Sequence, residues 1–186
     1  MELIYPSSPA PVLPGSKGVR EMLPIVEANG LVTFRASRAW CHSGAKPLHP
    51  VVHLHIINRF GQVYLQKRSA TKALLPLRWD TAVGGHVSYG ELLREALFRE
   101  AREELSLVDF NPLYIKSYVF ESAVEKELVN VFAIVGAFNP VPDGSEVADG
   151  RFWDVEEIES AYGKDILTPN FEQEFAKLKT SLLALL

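Results

Sequence analysis

The chain has 186 residues, the length of one domain. Its 47% apolar content suffices for a packed core, which with 23% charged residues excludes wholesale disorder. A net charge of -4 argues against a general nucleic-acid or anionic-membrane binder, because such proteins carry a basic surplus. The single Cys41 fits a reducing compartment, and no segment reaches the ~18 consecutive apolar residues of a spanning helix. Met1-Glu2 without a basic region, followed by Pro6, Pro9, Pro11 and Pro14, predicts no signal peptide and a cytoplasmic protein. Residues 1–20 are expected to form an extended Pro/Ser-rich arm from which Leu3, Ile4 and Tyr5 dock, and residues 21–186 a single domain. Leu23 to Glu27, a turn at Asn29-Gly30 and Leu31 to Phe34 read as a hairpin. Pro50 to Ile57 is a strand with Val52, Leu54 and Ile56 on one face, and Val63 to Arg68 is another. Leu113 to Glu121 and Leu128 to Phe138 make a second strand pair, rich in Val, Ile, Tyr and Phe.

Three helices are legible. One runs from after Gly90 to about Leu105, with Leu93, Ala96, Leu97, Ala101 and Leu105 at core spacing. A short one spans Val155 to about Tyr162 with Asp154 as N-cap. The last has Thr168 as N-cap, Pro169 at its first position, and Phe171, Phe175, Leu178 and Leu182 on one stripe. Strand hairpins with interspersed helices predict an α/β protein with a mixed β-sheet covered by helices. His53 and His55 alternate on a strand and read as sheet-face residues.

On the first helix Glu100, Glu103 and Glu104 stand at i, i+3 and i+4 and share one face. Like charges at that spacing repel unless a cation lies among them, and three converging carboxylates suit a hard divalent ion such as Mg²⁺ or Mn²⁺. Gly85, in the loop before the helix, has no side chain to block approach, so its carbonyl is a further candidate ligand. On the carboxylates alone, a solvated helix face paired with Arg94, Arg99 and Arg102 explains the same pattern.

The full spacing resembles the Nudix box: glycine, five residues, Glu, seven residues, then Arg-Glu-apolar-x-Glu-Glu-x-Gly-apolar. Gly85, Glu91, Arg99, Glu100, Glu103 and Glu104 match, with Ala101 and Leu107 in the apolar slots, while Ser106 departs from the glycine. The resemblance implies the Nudix α/β/α sandwich and hydrolysis of a small-molecule diphosphate linked to another moiety. It assigns metal binding to Glu100, Glu103 and Glu104, makes Glu100 a candidate general base, and has Arg99 and Glu91 orient the helix and its carboxylates.

Residues outside the box resemble isopentenyl-diphosphate isomerase from about Glu21 to Val155. His42-Ser-Gly-Ala-Lys-Pro-Leu-His49 has the spacing of two of that enzyme's metal-binding histidines, His86 follows Gly-Gly as its third does, and Glu125-Lys-Glu127 resembles its paired carboxylates. This implies a second site of His42, His49, His86, Glu125 and Glu127, suited to Mn²⁺ or Zn²⁺, and diphosphate contacts from Arg38, Arg68 and Lys72. Taken singly, these histidines also read as loop and strand-edge caps. The isomerase's cysteine is replaced by Gly84, and Cys41 reads as a buried filler rather than a substitute. An intact box without that thiol favours hydrolysis; isomerisation of a prenyl diphosphate and a non-catalytic metabolite-binding module are the alternatives. Substrate choice is expected from Ser117 to Ala123, Val141 to Gly150, Phe120, Phe152 and Trp153, with Glu146 a further candidate ligand or base that also reads as a solvated loop carboxylate. A homodimer is compatible with the sequence, which does not specify the oligomeric state.

Overall fold

The computed structural model describes residues 1–16 and 21–186. In chain order its elements are β1 (Met22–Val26), β2 (Val32–Ser37), α1 (Arg38–Trp40) running into a π-type turn (Cys41–Ala45), β3 (His49–Ile57), β4 (Val63–Arg68), β5 (Trp79–Thr81), β6 (Val83–His86), α2 (Leu93–Leu105), β7 (Leu113–Glu121), β8 (Lys126–Val135), β9 (Val147–Trp153), α3 (Val155–Ser160) and α4 (Pro169–Leu183). β1 and β2 form an antiparallel pair, and a seven-stranded sheet has the order β5-β4-β3-β8-β7, with β6 on β3 and β9 on β4. No helix among the described residues is long and apolar enough to cross a membrane. By contact density the chain divides into two compact units, to both of which β3, β6, α2, β7 and β8 contribute residues.

The first unit comprises Met1–Val52, Gly85–Leu97 and Lys116–Val131. Its hairpin forms as the sequence predicts, because the Asn29-Gly30 turn needs a left-handed residue. Gly30 has φ +87°, and a Cβ there would lie 3.0 Å from the Glu2 carbonyl oxygen. Leu23, Ile25, Ala36 and Cys41 bury one face together, with Leu13, Phe34 and Trp40 against them. Cys41 is thus a filler, and burial pushes its thiol up to about 11. The N-terminal arm adds to this hairpin as an edge: Ile4 bridges Leu31 and Val12 bridges Arg35, both in parallel. Leu3 and Ala10 are buried and Ile4 stays exposed. Tyr5 reaches the loop before α2, where its hydroxyl accepts from Gly90 N–H at 3.0 Å and donates to the Glu91 carbonyl at 3.3 Å. The end of the expected arm, residues 17–20, lies outside the described residues.

The second unit comprises His53–Gly84, Phe98–Ile115 and Phe132–Leu186. Here β4 pairs antiparallel with β5 on one side and β9 on the other. Gly150 of β9 faces Tyr64 so closely that a Cβ would fall 1.9 Å from the phenol oxygen, which fixes glycine at that position. α4 follows its sequence signals: the Thr168 hydroxyl accepts from Phe171 N–H, Pro169 opens the helix, and Phe171, Phe175, Leu178 and Leu182 are buried. α3 differs from expectation at its start. Asp154 occupies the N-cap position without a side-chain cap bond; its carboxylate accepts from Gln62 Nε2 at 3.0 Å instead. α2 buries Leu93, Ala96, Leu97, Ala101 and Leu105, the stripe read from the sequence. It ends at Ser106, which takes φ +53° while Leu107 N–H closes back on the Ala101 carbonyl at 3.0 Å. That left-handed C-terminal residue is what the glycine of the box pattern supplies without strain.

Candidate functional site

The box carboxylates lie in the second unit on the last two turns of α2. Glu104 is buried, and its Oε2 accepts from Gln66 Nε2 at 3.3 Å and from the Gly84 backbone N–H at 3.4 Å. Burial and the neighbouring Glu100 carboxylate push Glu104 up to about 8, against the pull of Lys72 and the Gly84 N–H, with Glu146 adding to the rise. Glu100 is raised too: burial outweighs its bond to Arg99, and Glu103 and Glu146 add repulsion. Arg99 bridges the set, with Nη1 2.7 Å from Glu100 and 3.4 Å from Glu103, whose side chain is 59% exposed. The guanidinium holds two of the three carboxylates and leaves the buried one facing an excess of negative charge. A hard divalent cation fits that excess, since it would take oxygen donors and remove the cause of the raised pKa values. Gln66, which fixes one oxygen of Glu104, was not legible as a site residue; the buried polar position on β4 is its only signal.

A second donor set lies in the first unit. His42, His49 and His86 place one ring nitrogen each within 4.8 Å of one another, and they are the sole such group among the described residues. His42 Nε2 and His86 Nε2 are 3.0 Å apart. Two lone pairs cannot face each other at that distance without a proton or a cation between them. His49 Nδ1 donates to the Pro47 carbonyl at 2.9 Å, while its buried Nε2 has no protein partner. Burial pushes His49 down to about 4, so the ring is neutral at pH 7, as a metal ligand must be. Glu125 sits behind His42, with Oε2 2.8 Å from Nδ1, which leaves Nε2 as the donor facing the group. Glu127 is buried on β8, which begins one residue after Glu125. Lys46 ties the π-type turn to the β7–β8 turn through Glu121 at 2.8 Å and the Ser122 carbonyl at 3.1 Å, which fixes His42 and Glu125 relative to each other.

The other expected residues are dispersed. Gly85 is buried in β6. Glu91 Oε2 accepts from Ser88 N–H at 2.9 Å and closes the turn before α2. Arg38 is exposed and paired with Glu21 at 3.2 Å. Arg68 is committed to structure: it donates to the Leu74 carbonyl at 3.0 and 3.2 Å and to Asp80 at 3.3 Å, holding the β4–β5 loop. Lys72 pairs with Glu146, and both contribute to the field at Glu104. Trp153 is buried under Arg151, whose guanidinium lies 3.8 Å from its ring centroid, so it packs rather than offering a free platform; Phe152 is half-buried against Tyr64. His53 and His55 are sheet-face residues with a partner the sequence reading lacked. They meet Glu174 of α4 at 3.0 and 2.7 Å.

The NUDIX domain family matches residues 47–174 of the chain. An isopentenyl-diphosphate Δ-isomerase of Leifsonia xyli is 30% identical over 143 residues, covering 73% of this chain and 77% of that protein. A Nudix hydrolase of Listeria monocytogenes is 33% identical over 126 residues, covering 67% and 74%. A Nudix hydrolase of Nostoc sp. is 37% identical over 87 residues, and the match spans only 47% of this chain and 52% of that relative. Among solved structures, a protein of Deinococcus radiodurans superposes with a TM-score of 0.74 at 23% identity, covering 84% of this chain and 98% of that one. The last likeness concerns the fold, and the α/β arrangement with a mixed sheet agrees with it. A box complete in its acidic and basic positions, within a domain match that spans more than half of the sequence, makes this chain a member of the Nudix hydrolase family.

Proposed function

We propose that the protein hydrolyses the diphosphate linkage of a nucleoside diphosphate derivative or a similar small organic diphosphate, with Mg²⁺ or Mn²⁺ held by Glu100, Glu103 and Glu104. The observation that carries this reading is Glu104: a buried carboxylate, fixed by Gln66 and the Gly84 N–H and pushed up to about 8 beside Glu100, is an arrangement that a divalent cation relieves. A bound divalent ion would neutralise phosphate oxygens and lower the pKa of a coordinated water. Arg99 keeps Glu100 and Glu103 oriented, and Glu91 fixes the turn that starts α2. Of the three basic candidates, Lys72 is the one we assign to the diphosphate, because its charge, although paired with Glu146, acts on the box carboxylate Glu104, whereas Arg68 is spent on the β4–β5 loop. Glu103, exposed and uninvolved in packing, gives the cleanest test. Glu103→Gln should lower kcat by at least about 10²-fold with the fold intact, followed by ³¹P NMR with Mg²⁺ over a panel of diphosphates. An unchanged rate would refute the assignment.

The histidine group favours a second reading. His42, His49 and His86, with Glu125 behind His42, would form a donor set for Mn²⁺ or Zn²⁺, to which we add Glu127 as a candidate, and several relatives are named isopentenyl-diphosphate isomerases. Isomerisation would shift a double bond and leave the diphosphate whole. Gly84 stands where the resemblance puts a thiol and can supply no proton, which favours hydrolysis. Following ¹H and ³¹P signals in one tube with isopentenyl diphosphate separates the two: loss of the diphosphate resonance supports hydrolysis, and a migrated double bond with intact diphosphate supports isomerisation.

A further inference from the structure

The loop from β4 to β5, residues 69–78, starts beside the box and then turns apolar. Ser69 N–H donates to the Glu146 carbonyl at 3.0 Å and Lys72 pairs with the Glu146 carboxylate, and both of those charges act on Glu104. From Ala73 to Leu77 the run Ala-Leu-Leu-Pro-Leu offers no side-chain donor or acceptor. Leu74, Leu75 and Leu77 are exposed by 37%, 38% and 54%. Leu75 and Leu77 also stand in the left-handed region, with φ +48° and +63°, which an L side chain enters only against strain. Hydrogen bonds hold that strain in place. Arg68 N–H donates to the Arg78 carbonyl at 2.9 Å and Leu77 N–H to the Arg68 carbonyl at 3.1 Å, which closes the loop at its base. The Arg68 guanidinium donates to the Leu74 carbonyl at 3.0 and 3.2 Å, which fixes its middle. Glycine would relieve this backbone and polar side chains would suit its exposure, yet the loop keeps three leucines fixed in water. Strained residues held by their surroundings cluster at ligand sites, and an exposed apolar patch marks a surface that binds.

We infer that Leu74, Leu75 and Leu77 are specificity-determining residues of the hydrolysis: they form an apolar wall that receives an aliphatic group esterified to the diphosphate. This rests on the hydrolase reading above and on Lys72 as the diphosphate contact, and it selects aliphatic diphosphates over nucleoside derivatives. Leu74 follows Lys72 by two residues, so their Cα atoms lie within about 7 Å of each other. A diphosphate held by Lys72 beside Glu104 therefore has its ester group within reach of the leucines. A sugar or a base in that place would need donors and acceptors that the side chains of Ala73 to Leu77 lack, whereas an alkyl chain gains by leaving water. Because Arg68 fixes the loop beforehand, little ordering is left for the substrate to drive. The chemical step is that of the box. Water adds to one phosphorus, the bridging P–O bond breaks with its electron pair on the leaving phosphate, and the proton of the water passes to solvent as alkyl phosphate and inorganic phosphate separate.

The test uses the full chain with Mg²⁺ and a series of methyl, butyl and octyl diphosphates, with a nucleoside diphosphate sugar as comparator. The native kcat/KM should rise about twofold per methylene, or about 10²-fold from methyl to octyl, as each CH₂ leaves water on the loop. Leu77→Gly removes an apolar side chain and relieves the left-handed backbone at once. Its urea midpoint should therefore hold or rise while the octyl-to-methyl ratio of kcat/KM falls at least about fivefold. Leu75→Asn, which tolerates the same backbone, should lower the ratio likewise. A flat native series, or a ratio unchanged in both variants, overturns the inference, and cleavage of the nucleoside comparator alone leaves hydrolysis standing without it. A dimer that Leu77→Gly dissociates in sedimentation would give the leucines to a second copy and equally overturn it. A second measurement needs no turnover: calorimetry with Mg²⁺ and the methyl and octyl esters of methylenediphosphonate, whose P–C–P bridge resists cleavage. The octyl ester should bind at least about tenfold tighter, and Leu77→Gly should narrow that gap. Equal binding of the two esters overturns the apolar wall, whereas chain-length-dependent binding by an enzyme that cleaves none of the diphosphates keeps the wall and overturns the hydrolase reading.

Discussion

Glu104→Gln isolates the electrostatic strain of the box from its chemistry. The amide keeps the shape of the side chain and still offers an oxygen to Gln66 and to Gly84 N–H, but it never ionises. In the native fold the carboxyl stays protonated up to about 8, while in the unfolded chain it ionises near its ordinary value of 4.5. Between those limits the folded state binds the extra proton, so without a cation this group's stabilising contribution is fully present below about pH 4.5 and is lost as pH rises toward 8. At 1.4 kcal/mol per pH unit that window bounds the loss at about 5 kcal/mol, and relaxation around the charge brings the expected value to about 2–4 kcal/mol. Urea denaturation of both proteins with EDTA, at intervals from pH 5 to 8.5, should show Glu104→Gln gaining on the native protein by that amount as pH rises, at constant m. Adding millimolar Mg²⁺ should stabilise the native protein increasingly above pH 7 and leave the variant little affected, because the ion competes with the proton. Parallel stability curves for the two proteins across the range would refute the argument.

Ser106→Gly should stabilise the protein by about 0.5–1 kcal/mol in thermal denaturation, since a left-handed φ of +53° strains serine and suits glycine. Glu125→Gln should weaken Mn²⁺ or Zn²⁺ binding at the histidine group by about 10–100-fold in calorimetry, because the carboxylate behind His42 sets its tautomer. The same binding should be lost on acidification, as His49 protonates through about pH 4. Gly150→Ala should cost about 1–3 kcal/mol by urea denaturation, because its methyl would overlap the buried Tyr64 hydroxyl.

What the sequence made legible follows the range of the interactions involved. The α2 stripe, the α4 stripe with its Thr168 cap and the Asn29-Gly30 hairpin are specified by neighbours within a few residues, and each forms as read. The box glutamates are equally local, so their common face was visible; their charge state was not, because it depends on burial and on Lys72, Gly84 and Glu146 from elsewhere in the chain. β5, β6 and β9 escaped notice because Trp79–Thr81 and Val83–His86 are too short for a period, and Val147–Trp153 is interrupted by Asp149 and Gly150. Arg68 shows the opposite failure. Its position matched a diphosphate contact, yet its guanidinium is consumed by a backbone carbonyl six residues on. Glu174 was hidden in a pattern that could have given it away: it occupies a core position of α4, three residues from Phe171 and four from Leu178, and a carboxylate there implies a buried partner.

The two donor sets differ enough in chemistry that one ion would not serve both equally. The box offers carboxylate oxygens, one exposed and two raised in pKa by burial and mutual repulsion, and so discriminates by charge and hardness. The histidine group offers ring nitrogens, one of them buried, with a single carboxylate behind the set, and so discriminates by ligand softness and geometry. Mg²⁺ therefore answers the first and has little to gain from the second, while Mn²⁺, tolerant of both donor types, bridges the two chemistries. Hydrolysis supported by Mg²⁺ alone would assign catalysis to the box without the histidines. A requirement for Mn²⁺ or Zn²⁺ that Glu125→Gln abolishes would bring the histidine set into the reaction.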